Sequence, residues 1–198
     1  MDKANEILAY LEALAEELIR LNTRQQYHIL VTGGAYMLLQ GERRATDDID
    51  FATVAPEHRP KAGRVFRTTV QRRGEVATRG SRGVFSQAVE AVARKYGLPE
   101  DWINDESAVY LYDDAPGADI YLWRTWAGVL FLYLPTAEYV FALKMAAYRR
   151  KDVPDCKALA RDLGIHAPAQ AQAIIDRYLL PDAQAFWEVK KKLNRLFR

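Results

Sequence analysis

His28-Ile29-Leu30-Val31-Thr32-Gly33-Gly34-Ala35-Tyr36-Met37-Leu38-Leu39-Gln40, followed after a polar stretch by Asp48-Ile49-Asp50-Phe51-Ala52-Thr53-Val54, decides how this chain is read. The first run is apolar and β-branched up to a glycine pair, then takes on the composition of a helix that stops at Gly41. It reads as strand, tight turn and helix. The second run alternates until Pro56 and reads as another strand. Asp48 and Asp50 stand two apart on it, so both side chains leave the same face. At about 3.3 Å of rise per residue their carboxylates start roughly 7 Å apart.

Two acids at that spacing repel each other and hold their protons more tightly unless a cation lies between them. Carboxylate oxygens are hard ligands that suit magnesium or manganese. Two such ions about 3.5 to 4 Å apart clamp the attacking and leaving oxygens of a phosphoryl displacement. An isolated Asp-x-Asp is common in proteins that hold no metal, and the glycine turn upstream is what sets this one apart. Gly33 and Gly34 carry no side chains, so a triphosphate can approach the N–H groups of the turn, where a helix N-terminus adds about half a positive charge. Arg44 and Thr46, just before Asp48, offer a phosphate clamp and a hydroxyl to orient a carboxylate; the alternative for each is plain surface loop.

A third signal lies in Val140-Phe-Ala-Leu-Lys144-Met-Ala-Ala-Tyr148, where one lysine sits inside a mostly apolar helix. Burying an ammonium without a partner is costly, so Lys144 either snorkels to water or points at an anion, a triphosphate or the aspartate cluster. Downstream, Asp152 is a candidate cap for the helix opening at Pro154, and Asp155 a salt-bridge partner for Arg149.

Working outward, residues 2–21 place Ile7, Leu11, Leu14 and Leu18 at helical spacing, and 84–96 do the same with Phe85, Ala88, Val89 and Val92 before Gly97 and Pro99. Apolar runs around 109–112, 119–123 and 129–134 read as strands, the last two as a hairpin across Gly128. After Pro135 the pattern is helical: 136–150 as one helix, then helices opening at Pro154, Pro168 and Pro181. The last packs an aromatic face of Phe186, Trp187, Leu193 and Phe197. Trp102, Trp123, Trp126 and Trp187 read as core anchors. The expected architecture is α+β, a mixed β-sheet core flanked by helices over 1–135 with a C-terminal helical subdomain over 136–198 packed on it.

Composition bounds the rest. A chain of 198 residues, 49% hydrophobic and 27% charged, can bury a sizeable core. No run approaches the roughly 20 apolar residues of a membrane helix, and the charged start is unlike a signal peptide, so no membrane association and a cytoplasmic location are expected. The single cysteine, Cys156, excludes an internal disulfide and a cysteine zinc site, and reads as a small buried hydrophobe. Net charge is only +2, but Arg59, Lys61, Arg64, Arg67, Arg72, Arg73, Arg79 and Arg82 face Glu75 alone. A second basic cluster spans Lys190 to Arg198. Either stretch suits a polyanion or is a solvated face.

Gly33-Gly34 with thirteen residues before Asp48, in the run Arg44-Ala-Thr46-Asp-Asp48-Ile-Asp50, resembles the first motif of the polymerase-beta-like nucleotidyltransferase superfamily. The pattern is most similar to its AbiEii-type branch, which includes toxins of type IV toxin-antitoxin systems. Residues 138–159, EYVFALKMAAYRRKDVPDCKAL, are similar to that branch's second motif region. The resemblance covers roughly 29–163 without the basic insert. It implies a mixed sheet flanked by helices, magnesium (or manganese) at Asp48 and Asp50, and a nucleoside triphosphate against Gly33 and Gly34. It further implies Lys144 on phosphate and Asp152 or Asp155 in support. An RNA such as tRNA, bound by 59–82, or a protein hydroxyl would accept the nucleoside monophosphate, and a cognate antitoxin would be a partner. The alternative is a weakened, non-catalytic module of the same fold that binds nucleotide, RNA or antitoxin. Two departures stand out. Gly34 replaces a serine that many members use, and the third carboxylate that acts as general base has no motif of its own. Asp119 is the first candidate, with Asp113 and Asp114 next.

Overall fold

The computed structural model of the chain describes residues 1, 3–21, 24–42, 45–54, 62–71, 83–105 and 116–198. The first helix, α1 (Ala4–Arg20), buries Ile7, Leu11, Leu14 and Leu18 and leaves Glu12 and Glu16 in water, as its 3.6-residue pattern requires. It packs on α3 (Val84–Tyr96), where the Tyr10 ring meets Tyr96 edge-on at 5.2 Å and Trp102 at 6.0 Å. Gly97 closes α3 in a left-handed conformation at φ +66°.

Between these helices and beyond them run the strands β1 (Tyr27–Val31), β2 (Ile49–Val54), β3 (Val65–Thr68), β4 (Val70–Gln71), β5 (Ile103–Asn104), β6 (Ala118–Trp126) and β7 (Leu130–Pro135). The sheet order is β3-β6-β7-β1-β2-β4, with β5 added beside the start of β2. Strands β1 and β7 pair in parallel, as do β2 and β5, while the other neighbours are antiparallel. The fold is thus α+β, a mixed sheet flanked by helices. The hairpin expected across Gly128 is present: Ala127 (φ +47°) and Gly128 (φ +70°) both adopt positive φ, as the central pair of a type I′ turn does, and Val129 N–H closes the turn on the Trp126 carbonyl at 3.1 Å.

The short helix α2 (Gly33–Leu39) follows β1, and the C-terminal third is helical: α4 (Ala137–Ala147), a 3₁₀ turn (Arg150–Asp152), α5 (Val153–Asp162), α6 (Pro168–Ile175), α7 (Pro181–Phe186) and α8 (Val189–Leu196). One apolar cluster runs from α1 through the sheet to Phe141, Leu159, Ile175 and Leu193. Trp102 and Trp126 belong to it, with Trp123 and Trp187 packed partly against it.

Two expectations are corrected. The helix read as 136–150 ends at Ala147, because Tyr148 turns left-handed at φ +46°. The final helix is two, broken where Glu188 adopts φ +49°, so Phe186 stands 73% exposed instead of joining an aromatic face. Strands β3, β4 and β5 do not follow from the sequence pattern, since runs of two to four residues carry little periodicity. The run at 109–112 lies outside the described residues. Among the described residues no helix is long and apolar enough to cross a membrane.

Candidate active site

Parallel strands β1 and β7 end at the same edge of the sheet, and antiparallel β2 begins there. Thr32, just past β1, donates its N–H to the Asp50 carbonyl at 2.9 Å, which fastens the glycine turn to the acidic strand. Gly33 then adopts φ +61°, and a Cβ at this position would fall 1.9 Å from Asp50 Oδ2. Two independent constraints, backbone conformation and contact, therefore require glycine here. Gly34 is buried in the first turn of α2.

Ile49 and Phe51 are fully buried while Asp48 and Asp50 are half-buried, so the two acids share the face away from the core. Burial, and then the Asp48 charge, push the Asp50 carboxyl up to about 6; the cations of Arg149, Lys151 and Lys144 pull the other way without cancelling it. Thr46 donates its hydroxyl to the Asp48 carbonyl at 3.1 Å, so it fixes the backbone of the acid and not its carboxylate. Asn104 holds the carboxylate instead. It stands opposite Asp50 in the β2–β5 register and donates Nδ2 to Asp48 Oδ2 at 3.0 Å. No motif marked Asn104, because its position depends on a parallel pairing across more than fifty residues of sequence.

Lys144 is buried in α4 with Nζ 2.7 Å from Asp155 Oδ2 and 3.5 Å from Asp152 Oδ1. The anion it finds is this aspartate pair. Asp152 also accepts from Arg149 N at 3.0 Å and Nε at 2.8 Å, capping the 3₁₀ turn. Burial raises its pKa, but Arg149 and Lys144 outweigh that and leave it below the ordinary carboxylate range. Two expectations are corrected here: Arg149, read as a partner for Asp155, pairs with Asp152, and the Asp152 side chain caps the 3₁₀ turn instead of the helix opening at Pro154, while Asp155 pairs with Lys144.

Asp119 is not brought to Asp48 and Asp50. Strands β7 and β1 separate β6 from β2, three spacings of about 4.8 Å or roughly 14 Å across the sheet. Its carboxylate is occupied where it stands: Arg67, its register partner on β3, grips both oxygens at 2.9 Å, Tyr178 donates its hydroxyl at 2.8 Å and Arg177 approaches to 3.2 Å. Hydrogen bonding from Arg67 is the largest cause of its lowered pKa. Asp119 is an anchor between β3 and the segment just after α6, not a third acid of the site. Asp113, Asp114, Arg44 and most of 59–82 lie outside the described residues.

Among the described residues no group of three or more His, Cys, Asp and Glu side chains forms a metal site. The Asp48 and Asp50 pair nevertheless suits a hard divalent ion: two carboxylates on one face, one of them destabilised as an anion by burial and by the other. Comparison with protein-family models, with characterised proteins and with solved structures finds no match to this chain.

Proposed function

We propose that this protein is a nucleotidyltransferase of the polymerase-beta-like type, moving a nucleoside monophosphate from a nucleoside triphosphate to a hydroxyl of RNA or protein. The observation that carries the reading is the contact between turn and acid: a glycine that must be glycine, against a carboxylate whose charge is not compensated. An anion-receptive turn and a cation-receptive pair so close together suit a metal-bound triphosphate better than either ligand alone.

In this scheme Asp48 and Asp50 hold magnesium or manganese, which supplies positive charge to the phosphates when bound. Gly33 and Gly34 admit the triphosphate to the backbone of the turn. Asn104 and Thr46 keep Asp48 in place, and the Lys144, Asp152, Asp155 and Arg149 network holds the cations whose charge favours the ionised form of Asp50. The acceptor oxygen attacks the α-phosphorus, the bond to the bridging oxygen breaks, and pyrophosphate leaves. The acceptor proton passes to a carboxylate base, the role for which Asp113 and Asp114 are the residues to test.

The second reading, a weakened module that binds without transferring, draws support from two details. Asp119 is committed to Arg67, and an amide, Asn104, stands on the strand beside Asp50. Each labelled triphosphate, with magnesium and a tRNA pool or protein acceptor, separates the two. Transfer lost in Asp48→Ala and Asp50→Ala supports the enzyme; binding of triphosphate with no transfer under any condition supports the module. Growth arrest on expression, relieved by a co-expressed neighbouring gene product, is the expected sign of a toxin with a cognate antitoxin.

A further inference from the structure

Helices α7 and α8 frame an open groove of about 620 Å³ whose lining includes Gln184, Glu188, Lys190, Lys191, Arg195 and Arg198. Four cations face one acid, and that acid, Glu188, is already held by Lys191 at 3.1 Å. Among the described residues Lys190, Arg195 and Arg198 form no ion pair, and all three are exposed. Lys191 and Arg195 lie one turn apart on the same face, about 6 Å along the axis. Next in sequence to the lining residue Ala185, Phe186 is the most exposed large apolar side chain among the described residues, its ring edge-on to Trp187 at 4.9 Å.

We propose that this groove docks a single-stranded nucleic acid, with phosphates along Lys190, Lys191, Arg195 and Arg198 and a base stacked on Phe186. A phosphate chain matches a row of cations, and an exposed ring beside the row gives a base a stacking surface. A lipid surface fits less well. The apolar side of α8, Val189 and Leu193, is buried against the body, so the helix has no greasy face to insert. Docking itself requires no triphosphate.

The test is fluorescence anisotropy with a labelled RNA of about 12 nucleotides across a salt series, no triphosphate present. Replacing Lys190, Arg195 and Arg198 together with Gln is expected to lower the log–log salt slope by about 2, from three lost contacts of roughly 0.7 each. Phe186→Ala is expected to weaken binding about fivefold or more with the slope unchanged. All four side chains are exposed, and matched thermal melts check folding; Arg195→Gln alone should still remove about 0.7 of slope. A slope untouched by the triple change overturns the proposal, as does binding to anionic vesicles or polyglutamate in preference to the RNA. Asp50→Asn keeps RNA binding on this proposal, so failure of transfer and failure of docking are read separately.

Discussion

A methyl group at position 33 would enter the Asp50 carboxylate at a residue already held at φ +61°. Gly33→Ala is therefore expected to lose about 1 to 3 kcal/mol in denaturant unfolding and to abolish nucleotide transfer, because turn and acid must move apart. Asp50 also sets a pH dependence whose sign follows from its raised pKa, about 6 against an ordinary 3.8. Below about pH 4 folded and unfolded chains both hold the proton and nothing differs. Between about pH 4 and 6 the folded chain keeps a proton that the unfolded chain has lost, so stability falls as pH rises, by about 3 kcal/mol once titration is complete. Asp50→Asn removes this penalty. Its unfolding free energy should exceed the parent's at about pH 8 and match it near pH 4, while transfer disappears. Lys144 is the reverse case, a buried cation already satisfied. Lys144→Met removes the cation that Asp155 and Asp152 share and is expected to cost about 3 to 5 kcal/mol, with part of the loss recovered when Asp155→Leu is added.

Among elements, β6 shows how strand order overrides local appearance. Asp119 opens an alternating run much as Asp48 does, and that alternation does not say which strands it will pair with. With β7 and β1 between them, Asp119 instead joins β3 to the segment after α6 through Arg67, Arg177 and Tyr178. Asp119→Asn should lower stability by about 1 to 3 kcal/mol, the range for a charged hydrogen bond lost in a partly buried place. Its transfer activity per folded molecule and its metal requirement should equal the parent's, measured below the lowered melting point. The short strand β5 makes the complementary point: Asn104 reaches Asp48 only because Ile103 and Asn104 pair with the first residues of β2.

At the scale of the molecule, the turn after β1 is fastened to β2 at one end of the sheet, and the charges of Arg149, Lys151 and Lys144 from the C-terminal third act on Asp50 there. Magnesium or manganese is expected to raise the melting temperature in proportion to RT ln(1 + [M]/Kd), more strongly above about pH 6 than below it. Asp48→Ala and Asp50→Ala should show no such rise. An equal shift in all three proteins would place the ion elsewhere.

Local chemistry was readable from the chain alone. The amphipathic repeats of α1 and α3, the alternation of β2, the two-glycine turn and the proline starts of α5, α6 and α7 each depend on neighbours within a few residues. Asp48 and Asp50 share a face because a strand has period two. Tertiary structure alone decided what lies across from what: β5 beside β2, Asp119 with Arg67, Asp155 under Lys144, and Phe186 turned out to water. Those pairings are fixed by packing between segments far apart in sequence, and no local period encodes them.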